Sequence, residues 1–296
     1  MHLVCDVLKI SDELLMKRFL IIGLFLLLGL VGYSQGEWNN WNFGWYSAIN
    51  FNSGSPLPSP LTPMTEANGS SASISDSLGN LLFYSDGLYV FDKHNNIMPN
   101  GSGLIGCYNN PQPVYAVPKL GDYNKYFLFT VGPKYGTNAY VGLAYSVIDM
   151  TLNGGFGDIV LGQKNILVVG GDSATIQLTG TKHANNKDVW IVTRRASSHG
   201  KDKYLAFLVT NAGIITPPVV STSDLNNHNP FQSNYYEGHM RISPDGNHLI
   251  CADSLLSVCT FNKNTGVVTT LFTIDVILGL GYGHDPIGVM FSNNCK

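Results

Sequence analysis

RISPDGNHLICADS (241–254) and SVCTFNKNTGVVTTLFT (257–273) decide the fold. In the first stretch a short apolar strand meets the polar turn Ser243-Pro244-Asp245-Gly246 and returns as a second apolar run. The turn has a hydrogen-bonding residue first, Pro with its fixed φ second and Gly last, which is the type I pattern. The second stretch turns at Asn264-Thr265-Gly266, where a hairpin needs a residue that accepts positive φ. Together the two stretches make consecutive hairpins, a unit of four strands. The same grammar recurs upstream in SISDSLGNLLFYSDG (73–87) with LYVFDKHNNIMPNG (88–101) and in VPKLGDYNKYFLFTVG (117–132) with YSVIDMTLNGGFGDIVL (145–161). A further copy is LTGTKHANNKDVWIVTRR (178–195) with LAFLVTNAGIITPPVVS (205–221).

The second strands of these units start at Leu81, Tyr126, Val189 and Leu249, separated by 45, 63 and 60 residues. Such a period suits four-stranded propeller blades with loops of varying length. Leu81–Tyr84, Tyr126–Phe129 and Val189–Val192 are apolar on successive residues, so each strand must be covered on both faces. A blade stacked between two neighbours meets that demand, whereas a sandwich with one wet face per sheet prefers alternation. The expected fold class is therefore all-β, a β-propeller of four-stranded antiparallel blades. It reads as incomplete, with about four blades plus the start of another: GVMFSNNCK (288–296) resembles a degraded first strand of a further unit. Either the chain is a fragment or truncated product, which the sequence favours, or the repeats close as a smaller ring. The aromatic stretch Trp38–Phe51 reads either as a leading strand that joins the last blade or as an ordinary edge strand with buried aromatics.

Composition narrows the function. Seventeen Lys and Arg against 20 Asp and Glu give a net charge of −3, too little basic surface for phosphate neutralisation, so a nucleic-acid partner is disfavoured. Lys17 and Arg18 precede the apolar run Phe19–Val31 and the small residues Gly32 and Ser34, the layout of a secretory signal peptide. The run has 13 residues, short of the roughly 20 a membrane-spanning helix needs. The expected domains are residues 1–34 as signal peptide, with Met16 as the better initiator, and residues 35–296 as the propeller, ending early at its C-terminus. No membrane span remains after cleavage, and the product is expected to be secreted or at the cell surface. Cys107, Cys251, Cys259 and Cys295 remain in that product. Cys251 and Cys259 flank Ser254–Ser257 symmetrically, so a hairpin there would allow a disulfide, although buried thiols acting as small hydrophobes are the plainer expectation.

Four stretches in order, NNWNFGWYSAINFNSGSP (39–56), ISDSLGNLLFYSDGLYVFDKHNNIMPNGSGLIG (74–106), YSVIDMTLNGGFGDIVLGQKN (145–165) and ISPDGNHL (242–249), carry a family resemblance. They resemble the N-terminal propeller-like, WD-repeat-type domain of Bacteroidetes surface proteins associated with gliding motility and type IX secretion. The resemblance implies a β-propeller for display, adhesion or protein contacts, with no catalytic residues to transfer. Members of that family usually continue through more blades and often into a C-terminal sorting domain.

Few residues suggest chemistry. Glu37, Glu66 and Glu237 are the glutamates after the leader; Glu66 and Glu237 precede first strands and would face one end of the channel. Paired carboxylates there would suit glycoside hydrolysis only at separations of roughly 5–10 Å, which distant blades do not provide. His183, His239 and His284 lie near first-strand starts without ligand spacing, and packing accounts for His248. Asp76, Asp122 and Asp245 hold matching turn positions, which implies Asx-type backbone bonds before calcium ligation. Arg194-Arg195 reads as a solvated turn or a dibasic loop for an anionic partner. Asp76-Ser77-Leu78, Asp172-Ser173-Ala174 and Asp253-Ser254-Leu255 match a short O-glycosylation pattern of the same bacterial group, at places where turns favour Asp and Ser anyway. No phosphate loop, GxSxG elbow or HExxH helix is present. No catalytic, cofactor-binding or metal residue is assigned, and no cofactor is expected. The reading is a binding or scaffold domain, not an enzyme, that contacts a surface protein or glycan through loops and exposed Tyr, Trp and Asn. The alternatives are a polysaccharide hydrolase or lyase on a propeller scaffold and a structural module of a larger adhesin.

Overall fold

The computed structural model describes residues 36–43, 46–59, 63, 71–106, 112–132, 142–172, 174–195, 201–226, 238–252, 255–275 and 288–292. Residues 1–34, read as a signal peptide, and Glu66, Glu237, His284, Cys107, Cys295 and Asp253-Ser254 lie outside them. Among the described residues the only helical turns are two short 3-10 turns, Gly36–Trp38 and Asn153–Gly155; the rest of the regular structure is strand. The fold is a β-propeller of five blades rather than four and a fraction. Blade 1 is the leading stretch: β1 (Asn40–Asn42), β2 (Ala48–Asn50) and β3 (Leu57–Pro58), paired in that order. Blade 2 comprises β4 (Ala72–Ser75), β5 (Leu81–Ser85), β6 (Tyr89–Asp92) and β7 (Ile97–Ser102). Blade 3 comprises β8 (Val114–Pro118), β9 (Lys125–Thr130), β10 (Ala144–Asp149) and β11 (Asp158–Ile159), with β12 (Ile166–Leu167) pairing the other half of β10. Blade 4 comprises β13 (Ala174–Lys182), β14 (Val189–Arg195), β15 (Lys201–Thr210) and β16 (Gly213–Asn226). Blade 5 comprises β17 (Met240–Ile242), β18 (His248–Ala252), β19 (Leu255–Phe261) and β20 (Val268–Asp275).

Consecutive residues of one strand serve different neighbours. In β9, Tyr126 and Leu128 join the core shared with Phe83, Val90 and Met98 of blade 2, while Phe127 and Phe129 join the core shared with Leu178, Ile191 and Phe207 of blade 4. In β14, Ile191 faces blade 3, while Trp190 and Val192 pack with Met240, Leu249 and Phe261 of blade 5. This is why the runs are apolar without alternation: the period of two is intact, but both faces are interior. Each such side chain, when fully buried, contributes about 1.5–3 kcal/mol. First strands lie beside first strands (β4 with β8, β8 with β13, β13 with β17) and last beside last (β7 with β11, β16 with β20), which makes the arrangement radial.

The turns carry the chemistry read in the sequence. Gly246 has φ +76° and its N–H donates to the Ser243 carbonyl at 2.8 Å. Gly266, φ +73°, closes the β19–β20 turn and lies against the Trp190 indole, whose Nε1 donates to the Lys263 carbonyl at 2.8 Å.

Blade 1 departs from expectation. Its aromatics are not buried: Trp38 is 66% and Trp41 47% exposed. Its face toward blade 2 is joined by amides instead. Asn40 Nδ2 donates to Ser75 Oγ (2.9 Å) and to the Gly79 carbonyl (2.7 Å), and the Asn42 N–H donates to Ser73 Oγ (3.1 Å). Asn50 and Asn52 extend the ladder. The asparagines expected at a binding surface are thus partly consumed as blade-to-blade links. Residues 288–292, read as the first strand of a further unit, carry no strand. Strand geometry requires a ladder partner, and none of the described strands pairs with them.

Candidate functional site

The first strands β4, β8, β13 and β17 lie beside one another around the propeller axis. Gln112, buried ahead of β8, reaches the start of β17 in blade 5: its Nε2 donates to the Met240 carbonyl (2.9 Å), and the Met240 N–H donates to its Oε1 (2.6 Å). Gln177 of β13 donates from Nε2 to the Gly238 (3.1 Å) and Ala252 (2.8 Å) carbonyls. Two buried amides therefore fix where blade 5 begins. Tyr115 of β8 rests its ring on Gly180 of β13, where an added Cβ would come within 2.7 Å of the ring, and its hydroxyl donates to the Gly180 carbonyl at 3.3 Å.

His239 and Arg241 are two residues apart around β17 and share one face, opposite Met240, which packs into blade 4. Arg241 reaches solvent, yet protein crowds it enough that burial disfavours its charge, with Tyr115 the opposing influence. Burial, and then the Arg241 charge, hold His239 below the usual imidazole value. Burial pushes the Tyr115 hydroxyl up, with Arg241 acting the other way.

The Arg194-Arg195 reading needs correction. Arg194 is fully buried inside β14, not in a solvated turn, and its Nη2 lies 3.3 Å from Oδ2 of the equally buried Asp202. The register partner of Arg194 is Tyr204, so Asp202 occupies the diagonal position on the next strand. Arg194 Nη1 donates to Cys251 Sγ (3.3 Å), which donates to Gln177 Oε1 (3.3 Å). Arg195 is partly exposed, 3.9 Å from Asp172. The hairpin expected between Cys251 and Cys259 forms, but its register sets Cys251 opposite Ser257 and Cys259 opposite Leu249; both cysteines are buried thiols.

The aspartates act as turn caps. Asp76 Oδ1 accepts from the Leu78 and Asn80 N–H groups, each at 2.9 Å. Slight burial pushes its carboxyl up, but bonds from the Asn80 side chain and from the Asn80, Leu78 and Gly79 N–H groups outweigh that and hold it low. Asp122 is held low chiefly by the hydrogen bond from Lys125, at 2.8 Å. Asp245 Oδ1 accepts from the Asn247 N–H at 3.0 Å. Asp92, not singled out in the sequence, repeats the motif with His94 and Asn96. Among the described residues no cluster of metal-ligating side chains forms. His183 is held by its contacts with Asn185 and the Asn264 carbonyl and by the Trp190 ring, and His248 lies within β18. Among the described residues no helix is long and apolar enough to cross a membrane.

No family model matches the chain, and no curated protein matches it. Among solved structures, the hydrazine synthase of Kuenenia stuttgartiensis is similar at a TM-score of 0.37 and 11% identity, over 84% of this chain and 72% of that one. At that identity no residues are matched between the two.

Proposed function

We propose that the chain is an exported, non-catalytic binding or scaffold domain that contacts a surface protein or a glycan, as the resemblance to gliding and adhesion proteins implies. The propeller architecture suits the role, since radially stacked blades present loops and outer faces to solvent. The observation that carries the reading is the aromatic cluster on blade 1. Trp38, Trp41, Phe43 and Tyr46 are all exposed, and Trp41 lies 5.1 Å from Phe51 and 6.3 Å from Phe43, ring centre to ring centre. Trp41, Ile49 and Pro58 share a face by register, the one opposite the asparagine ladder. Aromatic side chains displayed in this way stack on sugar rings or anchor protein interfaces.

The test is binding by the secreted protein to a glycan array and to surface proteins of the producing cell. Binding without turnover, lost in Trp38→Ala and Trp41→Ala proteins that keep their thermal unfolding, supports the reading. Polysaccharide turnover abolished by Glu66→Gln or Glu237→Gln would replace it with the hydrolase alternative.

A further inference from the structure

We propose that β20, the outer strand of blade 5, is the edge through which two copies of this chain pair, antiparallel, about a two-fold axis at Thr273. The surface is separate from the blade 1 aromatics and does not depend on the reading drawn from them. An outer strand displays unpaired N–H and C=O groups, and proteins blunt such edges with proline, short strands and bulges. Four blades here follow that rule. β3 has two residues, one of them Pro58; β11 and β12 have two each; β7 carries Pro99 and Gly101; β16 is interrupted by Pro217-Pro218. β20 has eight residues, VTTLFTID, without Pro or Gly and uncharged up to Ile274, and among the described residues it pairs only with β19. Leu271, Phe272 and Ile274 on it are each close to half exposed.

The direction of the backbone bonds across blade 5 picks out the residue at the axis. The Phe261 N–H donates to the Asn247 carbonyl on the β18 side. Bonding direction alternates along a strand, so Phe261, Cys259 and Ser257 turn their backbone groups to β18, and Thr260, Val258 and Leu256 turn theirs to β20. The same alternation sends the Val268 N–H, opposite Phe261, away from β19, where it donates to Ser221 Oγ of β16 at 2.9 Å. The bulge at Leu271 leaves the register straight from Phe272 onward. Phe272 and Ile274, opposite Val258 and Leu256, therefore bond β19, whereas Thr273, opposite Ser257, presents its N–H and C=O to the open side. In a two-fold antiparallel pair the residue at the axis stands opposite its own copy, because opposed residues share a face. With Thr273 there, its N–H donates to the carbonyl of its copy and accepts the reciprocal bond. Phe272 then stands opposite Ile274 of the partner subunit, and the reverse, on the face turned away from blade 4. Aromatic and β-branched residues so opposed stabilise a sheet, and the stretch carries no charge to repel its own image. One open edge per copy closes the assembly at two instead of extending it into a fibre.

Sedimentation velocity of the purified protein from about 1 to about 500 μM, with amide hydrogen exchange at both ends of that range, tests the pairing. The expected result is a monomer–dimer equilibrium in which the Thr273 amide gains protection as the dimer forms, while the Phe272 and Ile274 amides are protected at every concentration. Thr273→Pro removes the outward donor without touching a bond to β19, a substitution that edge strands tolerate, and should weaken dimerisation about tenfold or more. Thr273→Lys sets two like charges opposite each other, should weaken the dimer likewise, and serves if the proline variant does not fold. The proposal is overturned if the protein stays monomeric throughout the range or if the dimer persists unchanged in a folded variant. Full protection of Thr273 already in the monomer overturns it too, since a segment of the same chain would then cover the edge.

Discussion

Replacing Gly246 tests the turn that organises blade 5. The residue sits at φ +76°, closing the Ser243-Pro244-Asp245-Gly246 turn between β17 and β18. A side chain there incurs the left-handed cost of an L-residue, about 1–2 kcal/mol. Its Cβ would also come within 2.6 Å of Lys263 Cδ and 3.0 Å of Thr181 Oγ1. The lysine end is flexible and swings away, but it then gives up the hydrogen bond from Nζ to the Asp245 carbonyl, 2.7 Å, a loss of roughly 0.5–1.5 kcal/mol. Gly246→Ala should therefore cost about 1.5–3.5 kcal/mol, and Gly246→Val, whose branched Cβ tolerates positive φ worst, more than that. Gly246→Asn should cost least, because Asn accepts this region. For a domain of this size the valine variant should melt roughly 5–12 °C lower. Thermal unfolding of the series followed by circular dichroism checks the order. Valine unfolding like wild type, or asparagine faring worse than valine, would refute the reasoning.

Three further outcomes follow from the buried polar groups. Removing one partner of the Arg194–Asp202 pair, as in Asp202→Ala, should destabilise by about 3–5 kcal/mol in urea unfolding, whereas the double replacement Arg194→Met, Asp202→Leu should recover much of that loss. Asn40→Ala should cost about 1–3 kcal/mol and expose blade 1 selectively in hydrogen exchange, because Ser75 loses its donor and the Gly79 carbonyl keeps only Asn52. The buried Asp86 carboxyl is pushed up by desolvation, only partly countered by the Tyr89 and Leu88 N–H groups, so protonation favours the folded state. Wild-type stability relative to Asp86→Asn should accordingly fall as pH rises from the ordinary carboxylate value through the raised one. Urea midpoints near about pH 4 and about pH 7.5 measure this, and a constant difference would contradict it.

The hairpin pairs were legible because their signals are local. Glycine and asparagine mark the positive-φ corners, and Tyr126–Phe129 is apolar throughout because alternate residues pack against opposite neighbours. Blade 1 was not legible as a blade, since Asn40, Asn42 and Asn50 look like solvent-facing residues until the ladder to Ser73 and Ser75 is seen. Arg194 had a readable clue: it ends an apolar strand, and an acidic residue follows diagonally on the next strand. Its burial, however, depends on blade 5 closing over it. Gln112 and Gln177 lie far along the sequence from the Met240, Gly238 and Ala252 backbone groups they hold, so no spacing rule identifies them.

Radial stacking is the premise on which the fold and the exposed blade 1 face both depend. Two aromatic contacts between successive blades define it: Phe83 edge-on to Tyr126 at 5.3 Å, and Trp190 edge-on to Phe261 at 6.2 Å. A nuclear Overhauser spectrum with selectively labelled aromatic rings reads both at once. Simultaneous Phe83–Tyr126 and Trp190–Phe261 cross-peaks are the expected result; absence of either in the folded protein would contradict the ring of blades.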